Sequence, residues 1–143
     1  MVTQVGSQFQ VVFVDAKNKE SAIRALIAEL DANHDKVFEA VMQREKVIST
    51  GIGIGIAIPH AKIEGLDDFS VVIGVVNHAG IPWDAIDRLP VRLILLIAGP
   101  DDRHKEYLQL LSRLTKTIKQ EIVRQALFSA KDREEVVKIF EAW

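Results

Sequence analysis

The chain has 143 residues, a formal net charge of −2 and no cysteine. That length allows one domain with a sizeable core. The near balance of 18 basic and 20 acidic residues excludes a strongly basic nucleic-acid binder or a polybasic membrane tail, and the missing thiols exclude a disulfide framework, a thiolate metal site and a cysteine nucleophile.

In chain order, residues 8–15 are rich in Val and Phe and predict a strand. Residues 18–33 turn helical: Ile23, Leu26, Ile27 and Leu30 recur at i, i+3, i+4, i+7, and Asn18 or Ser21 is placed to cap the start. After a break at Asn33, His34 and Asp35, the positions Val37, Phe38, Val41 and Met42 repeat the stripe over residues 35–45, so the two segments predict an αα-hairpin. Residues 56–58 suit a short strand that Pro59 must end, because proline cannot donate to a ladder. Residues 69–77 and 90–98 read as buried strands, with a turn and strand-like fringe at 80–84 between them. From Arg103 onward the chain is helical. Tyr107, Leu108, Leu111, Leu114 and Ile118 form one predicted face, Ile122, Val123, Ala126 and Leu127 a second, and residues 134–143 a last helix with Val136, Val137 and Phe140 inward. Strands interleaved with helices predict an α/β fold, one domain over residues 1–143, with helices covering a mixed sheet. Residues 1–13 lack the basic and long apolar regions of a signal peptide. The longest apolar run, residues 91–98, contains Arg92 and is too short to span a bilayer. A cytoplasmic protein without direct membrane insertion is expected.

The unusual stretch is residues 49–60, where Gly51, Gly53 and Gly55 alternate with Ile52, Ile54 and Ile56 ahead of Pro59 and His60. Glycine at every second position suits a backbone that approaches something closely or adopts φ > 0. A histidine on a constrained segment at a strand end is displayed, and neutral imidazole is a nucleophile at physiological pH. Phosphoryl transfer needs an aligned acceptor with positive or N–H-rich surroundings. The amides of residues 50–55 form a candidate donor nest, the hydroxyls of Ser49 and Thr50 candidate donors, and Arg44 a candidate countercharge. On the residues alone, a structural histidine and a strand packed under a helix remain open. Neither G-x-G-x-x-G nor G-x-x-x-x-G-K-[ST] is present, so a nucleotide loop is not supported.

Residues 44–62, with Arg44, then Ser49-Thr50-Gly51-Ile52-Gly53, then Gly55-Ile56-Ala57-Ile58-Pro59-His60, resemble the active-site signature of IIA domains of the fructose–mannitol class of the sugar phosphotransferase system, which includes the nitrogen-regulatory IIA proteins. Trp83-Asp84-Ala85-Ile86-Asp87 and Pro90-Val91 resemble the family's second half more loosely, and the likeness spans about residues 8–140. The resemblance implies a phosphotransferase component that takes a phosphoryl group on Nε2 of His60 from HPr or a nitrogen-branch HPr-like carrier. The group would pass to a IIB domain, or, in a regulatory branch, the state of His60 would govern binding of a regulatory protein. It implies Arg44 beside the phosphoryl group, Thr50 near the histidine with Ser49 and Gly51 around it, and neither cofactor nor metal. Where family members often carry a second histidine, this chain has Tyr107. His104, one turn earlier, either substitutes or is merely solvated.

His34 reads as an exposed polar residue and His78 as a turn residue. His60, His78 and His104 lack metal-ligand spacing. Asp84 and Asp87 read as turn groups rather than an acid–base pair, Asp101 and Asp102 as caps of the following helix, and Lys116, Lys119 and Arg124 as a solvated face. An apolar docking patch made by Ile52 and Ile54 is expected around His60.

Overall fold

A computed structural model describes residues 9–141. The expected starting position Gln8 and the closing residue Trp143 lie outside them. The strands are β1 (Phe9–Val14), β2 (Gly51–Gly53), β3 (Ile56–Ala57), β4 (His60–Ile63), β5 (Ser70–Val76) and β6 (Leu93–Pro100); the helices are α1 (Lys19–Ile27), α2 (His34–Val47), α3 (His104–Ile118), α4 (Glu121–Phe128) and α5 (Arg133–Glu141).

The strands form one mixed sheet in the order β1-β5-β6-β3-β2, with β4 also on β6. β1 runs parallel to β5 and β5 antiparallel to β6. The other edge of β6 is shared: β3 pairs with its beginning and β4 with its end, both parallel. The register is unbroken across the gap, Ile56 opposite Leu93 and His60 opposite Ile97. Residues 56–63 are therefore one extended track interrupted at Ile58 and Pro59. Pro59 has no N–H to give, yet its carbonyl accepts from the Ile97 amide at 3.0 Å, while the Ile58 amide donates to the Thr50 carbonyl at 3.1 Å.

Strand alternation divides the core between the two faces. Val72, Ile94, Leu96, Ala57 and Ala61 pack with Ile23, Leu26 and Val41 of the α1–α2 hairpin. Ile56, Ile58, Ile73, Leu95 and Ile97 pack with Leu110 and Leu114 of α3, Leu127 of α4 and Phe140 of α5. Every residue of β6 is buried, as a central strand covered on both sides requires. By the same alternation His60 and Lys62 lie on the α3 side, one face away from Ala61 and Ile63.

Asn18 caps α1, its side chain accepting from the Ser21 amide, and Asn33 caps α2 in the same way through Lys36. Three expectations are corrected. The buried face of α3 is Tyr107, Leu110, Leu114 and Ile118, while Leu108 is half exposed. In α4 the buried contact is Leu127, whereas Ile122 and Ala126 are exposed; an eight-residue helix buries a narrower stripe than its apolar content suggests. Asp101 and Asp102 occupy a turn, and the N-cap of α3 is Arg103, without a side-chain cap bond. Arg103 instead donates to the Asp67 carbonyl and to Glu106 in the first turn, fastening α3 to the loop before β5.

Candidate functional site

His60 opens β4 and is half-buried against Tyr107, ring centroids 5.6 Å apart. Its Nδ1 lies 3.0 Å from the Ile58 carbonyl oxygen. A carbonyl only accepts, so Nδ1 carries the proton and the neutral ring keeps its lone pair on Nε2. The interruption at Ile58 and Pro59 turns that carbonyl back under the imidazole. Burial lowers the His60 pKa from its ordinary value, Arg44 and Lys62 push the same way, and the Ile58 carbonyl and the Glu45 carboxylate oppose them. The ring is thus neutral at physiological pH, with a fixed tautomer.

Arg44 stands in the last turn of α2, where Nη1 donates to the Ile48 carbonyl at 2.8 Å. It is close enough to act electrostatically on both His60 and Tyr107. Tyr107 is buried, which raises its pKa and keeps the phenol protonated.

Behind the histidine lies a buried network that the sequence reading did not assemble. The Glu45 carboxylate accepts from the Thr50 amide at 3.2 Å, from the Thr50 hydroxyl, and from Lys19 Nζ at 3.1 Å. Trp83 Nε1 donates to the Thr50 hydroxyl oxygen at 3.3 Å. Ser49 Oγ donates to the Trp83 carbonyl at 2.6 Å and accepts from the Gly51 amide at 3.0 Å. These bonds correct the expected donor nest. The hydroxyl protons of Ser49 and Thr50, and the amides of Thr50 and Gly51, are already used inside the protein. Ser49, Thr50 and Gly51 bond to Trp83, Glu45 and each other, and the cationic side chains acting on the histidine are Arg44 and Lys62. Gly51 is required here because a Cβ would lie 2.9 Å from that of Ala85.

The β2–β3 turn takes Gly53, Ile54 and Gly55 through positive φ in succession. Glycine does so freely; a β-branched residue pays about 1–3 kcal/mol. Ile54 is held there by Asp87, whose Oδ2 accepts its amide at 2.8 Å while Oδ1 accepts from Leu89. Asp87 is therefore a turn-fixing group, as expected. The turn leaves Ile52 and Ile54 at 42% and 40% exposure, with Ile86 and Leu89 exposed beside them and Val47 and Ile48 exposed below Arg44.

Lys62 was not singled out from sequence; its signal was the strand period, which puts it on the same face as His60. Its Nζ hydrogen-bonds Nδ1 of His104 and stands 4.9 Å from the centroid of the Tyr107 ring. His104, exposed at the start of α3, stacks on Tyr107 at 6.2 Å. The other histidines are structural: His34 bonds the Leu30 carbonyl, and His78 bridges the Ala16 carbonyl and the Gly80 amide. No helix among the described residues is long and apolar enough to cross a membrane.

The family described as "Phosphoenolpyruvate-dependent sugar phosphotransferase system, EIIA 2" matches residues 8–143. The nitrogen regulatory protein of Escherichia coli is 37% identical over 131 residues, covering 88% of this chain and 80% of its own. A fructose-specific EIIA component of Haloferax volcanii is 34% identical, covering 82% and 79%. The crystal structure of IIA-Ntr from Neisseria meningitidis superposes with a TM-score of 0.85 at 30% identity, covering 94% of this chain and 93% of that one.

Proposed function

The chain belongs to the phosphoenolpyruvate-dependent sugar phosphotransferase system EIIA 2 family, and we propose that it is a phosphocarrier whose acceptor atom is Nε2 of His60. The observation that carries this reading is the bond from His60 Nδ1–H to the Ile58 carbonyl, which leaves Nε2 unprotonated. The P–N bond of a donor phosphohistidine, on HPr or an HPr-like carrier, breaks as the Nε2–P bond forms. No proton has to leave His60, because the one it holds stays on Nδ1. Arg44 offsets the charge of the transferring group, and desolvation by the surrounding wall strengthens that interaction. The exposed isoleucines beside the site suit docking of a carrier with an apolar contact face.

Onward transfer to a cysteine of a IIB domain is the transport reading, supported by likeness to the fructose-specific component. A regulatory reading has its own support in likeness to the nitrogen regulatory proteins. There, the added charge of about −1.5 to −2 on His60 governs which partner binds.

Incubation with labelled phosphoenolpyruvate, Enzyme I and HPr tests the shared step, resolved on alkaline gels beside His60→Ala. Label on the wild type alone is expected; no label on a folded wild type overturns the carrier reading. Adding IIB domains then separates transport, which drains the label, from regulation, which does not.

A further inference from the structure

Lys62 and His104 are both exposed, yet they are bonded to each other over the Tyr107 ring. An ammonium has only donors, so His104 Nδ1 must be the acceptor and the His104 proton resides on Nε2. Such a bond between two solvated side chains has little net worth. What organises it is the Tyr107 ring: His104 stacks on it, the Lys62 ammonium lies over it, and His60 packs against it. Lys62 is two residues from His60 on the same strand face, and it already acts electrostatically on the His60 ring. The flexible lysine stem therefore spans both imidazoles from one anchor. Along the way its charge stays near an aromatic face, where a cation is favoured.

We propose that Lys62 is a ligand of the phosphoryl group, held in reserve on His104, and that phosphorylation of His60 transfers the Lys62 ammonium from the His104 ring to the phosphoryl oxygens. This rests on the phosphocarrier reading of His60. The exchange makes and breaks hydrogen bonds only, and the ammonium keeps its three protons. Its direction follows from charge. A neutral imidazole is a weaker acceptor than a phosphoryl oxygen, and moving the ammonium to the anionic phosphoryl group adds the attraction of opposite charges. Lys62 and His104 are both exposed, so little desolvation opposes release of their bond. The exchange frees His104 Nδ1 on the surface at the start of α3, giving the phosphorylated state a second local mark besides the phosphate itself. Tyr107, where the family resemblance leads one to expect histidine, supplies the ring face along which the ammonium moves.

The test uses the full chain with ¹⁵N-labelled histidine, phosphorylated in parallel by phosphoenolpyruvate with Enzyme I and HPr and by phosphoramidate, a small donor with no docking surface. The His104 ring nitrogens are followed by NMR at constant pH, and initial rates of His60 labelling are compared for wild type, Lys62→Met and Lys62→Arg. The expected results are a shift at His104 Nδ1 on phosphorylation of the wild type and none in Lys62→Met. Lys62→Met should label about tenfold more slowly with both donors, with Lys62→Arg recovering most of the rate. Two results overturn the exchange while leaving the carrier reading intact: His104 signals that ignore phosphorylation, or a Lys62→Met rate equal to wild type with phosphoramidate. Failure of the wild type to label at His60 with either donor overturns both.

Discussion

Arg44 and Glu45 are neighbours in sequence, yet they act on His60 with opposite sign, and substituting each by glutamine separates the two effects. Glu45 is buried, its side chain only 2% exposed, and Lys19 Nζ lies 3.1 Å from it at 20% exposure. Removing one partner of a buried pair costs about 3–5 kcal/mol. In Glu45→Gln the amide oxygen still accepts from Thr50 and the Lys19 stem can turn toward water, so about 2–3 kcal/mol is expected. For a domain of this size that lowers Tm by roughly 5–10 °C. Arg44 is half-buried and bonds the Ile48 carbonyl, so Arg44→Gln should cost under about 1 kcal/mol. The histidine responds in reverse order. Glu45 raises the His60 pKa and Arg44 lowers it, so Glu45→Gln moves the midpoint further down and Arg44→Gln moves it up. Urea denaturation gives the first comparison, and an NMR titration of the His60 ring gives the second. Midpoints moving in the same direction, or a Glu45→Gln variant as stable as wild type, would refute the coupling of the buried carboxylate to the site.

The His60 pKa is depressed, so the rate of labelling by phosphoramidate should be flat through neutral pH and fall only below the ordinary histidine value of about 6.5; a fall that begins above that value contradicts the assignment. The same depression means that the unfolded chain takes up the proton first. His60 therefore subtracts stability as pH drops below about 6.5, until pH passes the folded value, and His60→Gln should flatten that part of the denaturation profile. Ile54→Gly should match or exceed wild-type Tm despite losing a half-exposed side chain, because glycine relieves the strain at φ 55° while costing only about 0.5–1 kcal/mol of backbone entropy; a lower Tm by thermal denaturation counts against strain. Ile52→Asp combined with Ile86→Asp should raise the KM for phospho-HPr about tenfold or more and leave labelling by phosphoramidate unchanged; equal losses with both donors would remove the isoleucines from docking.

The fold was legible wherever one periodicity held. The i, i+3, i+4, i+7 spacing of Ile23, Leu26, Ile27 and Leu30 marked α1, and those side chains are buried, although the helix ends at Ile27, short of the expected residue 33, and Leu30 lies in the turn after it. The apolar run after Pro90 marked β6, although the strand starts at Leu93, since Val91 first bridges back to Ile81. Exposed apolar residues misled the reading of α3 and α4, because periodicity reports which positions share a face but not how wide a stripe the sheet covers. At the candidate site, His60 and Arg44 were legible from the glycine segment and its flanks. Glu45 with Lys19, and Trp83 with Ser49 and Thr50, were not, since their bonds join residues 26 to 34 positions apart. No local pattern encodes such a pairing; it exists only once the α1–α2 hairpin and the loop before β6 converge.

Pro59 explains why the acceptor sits where it does. Pro59 faces β6, where its carbonyl accepts from the Ile97 amide, so Ile58 faces away from that ladder, its amide donating to Thr50 and its carbonyl accepting from His60 Nδ1. Proline removes a donor from that ladder while the register with β6 continues on both sides. The break therefore costs no slippage, and the Ile58 carbonyl on the opposite edge holds Nδ1–H. Glycine at 51 lets the β2 edge come close to Ala85, which brings Trp83 onto Thr50 and closes the wall behind the ring. The alternation of glycine and isoleucine then has two separable uses: the glycines shape the backbone behind the histidine, and the isoleucines at 52 and 54 are left facing outward. Shape and docking surface are written into the same few residues, which is why the most informative segment of the sequence is also the one whose side chains lie on both sides of the site.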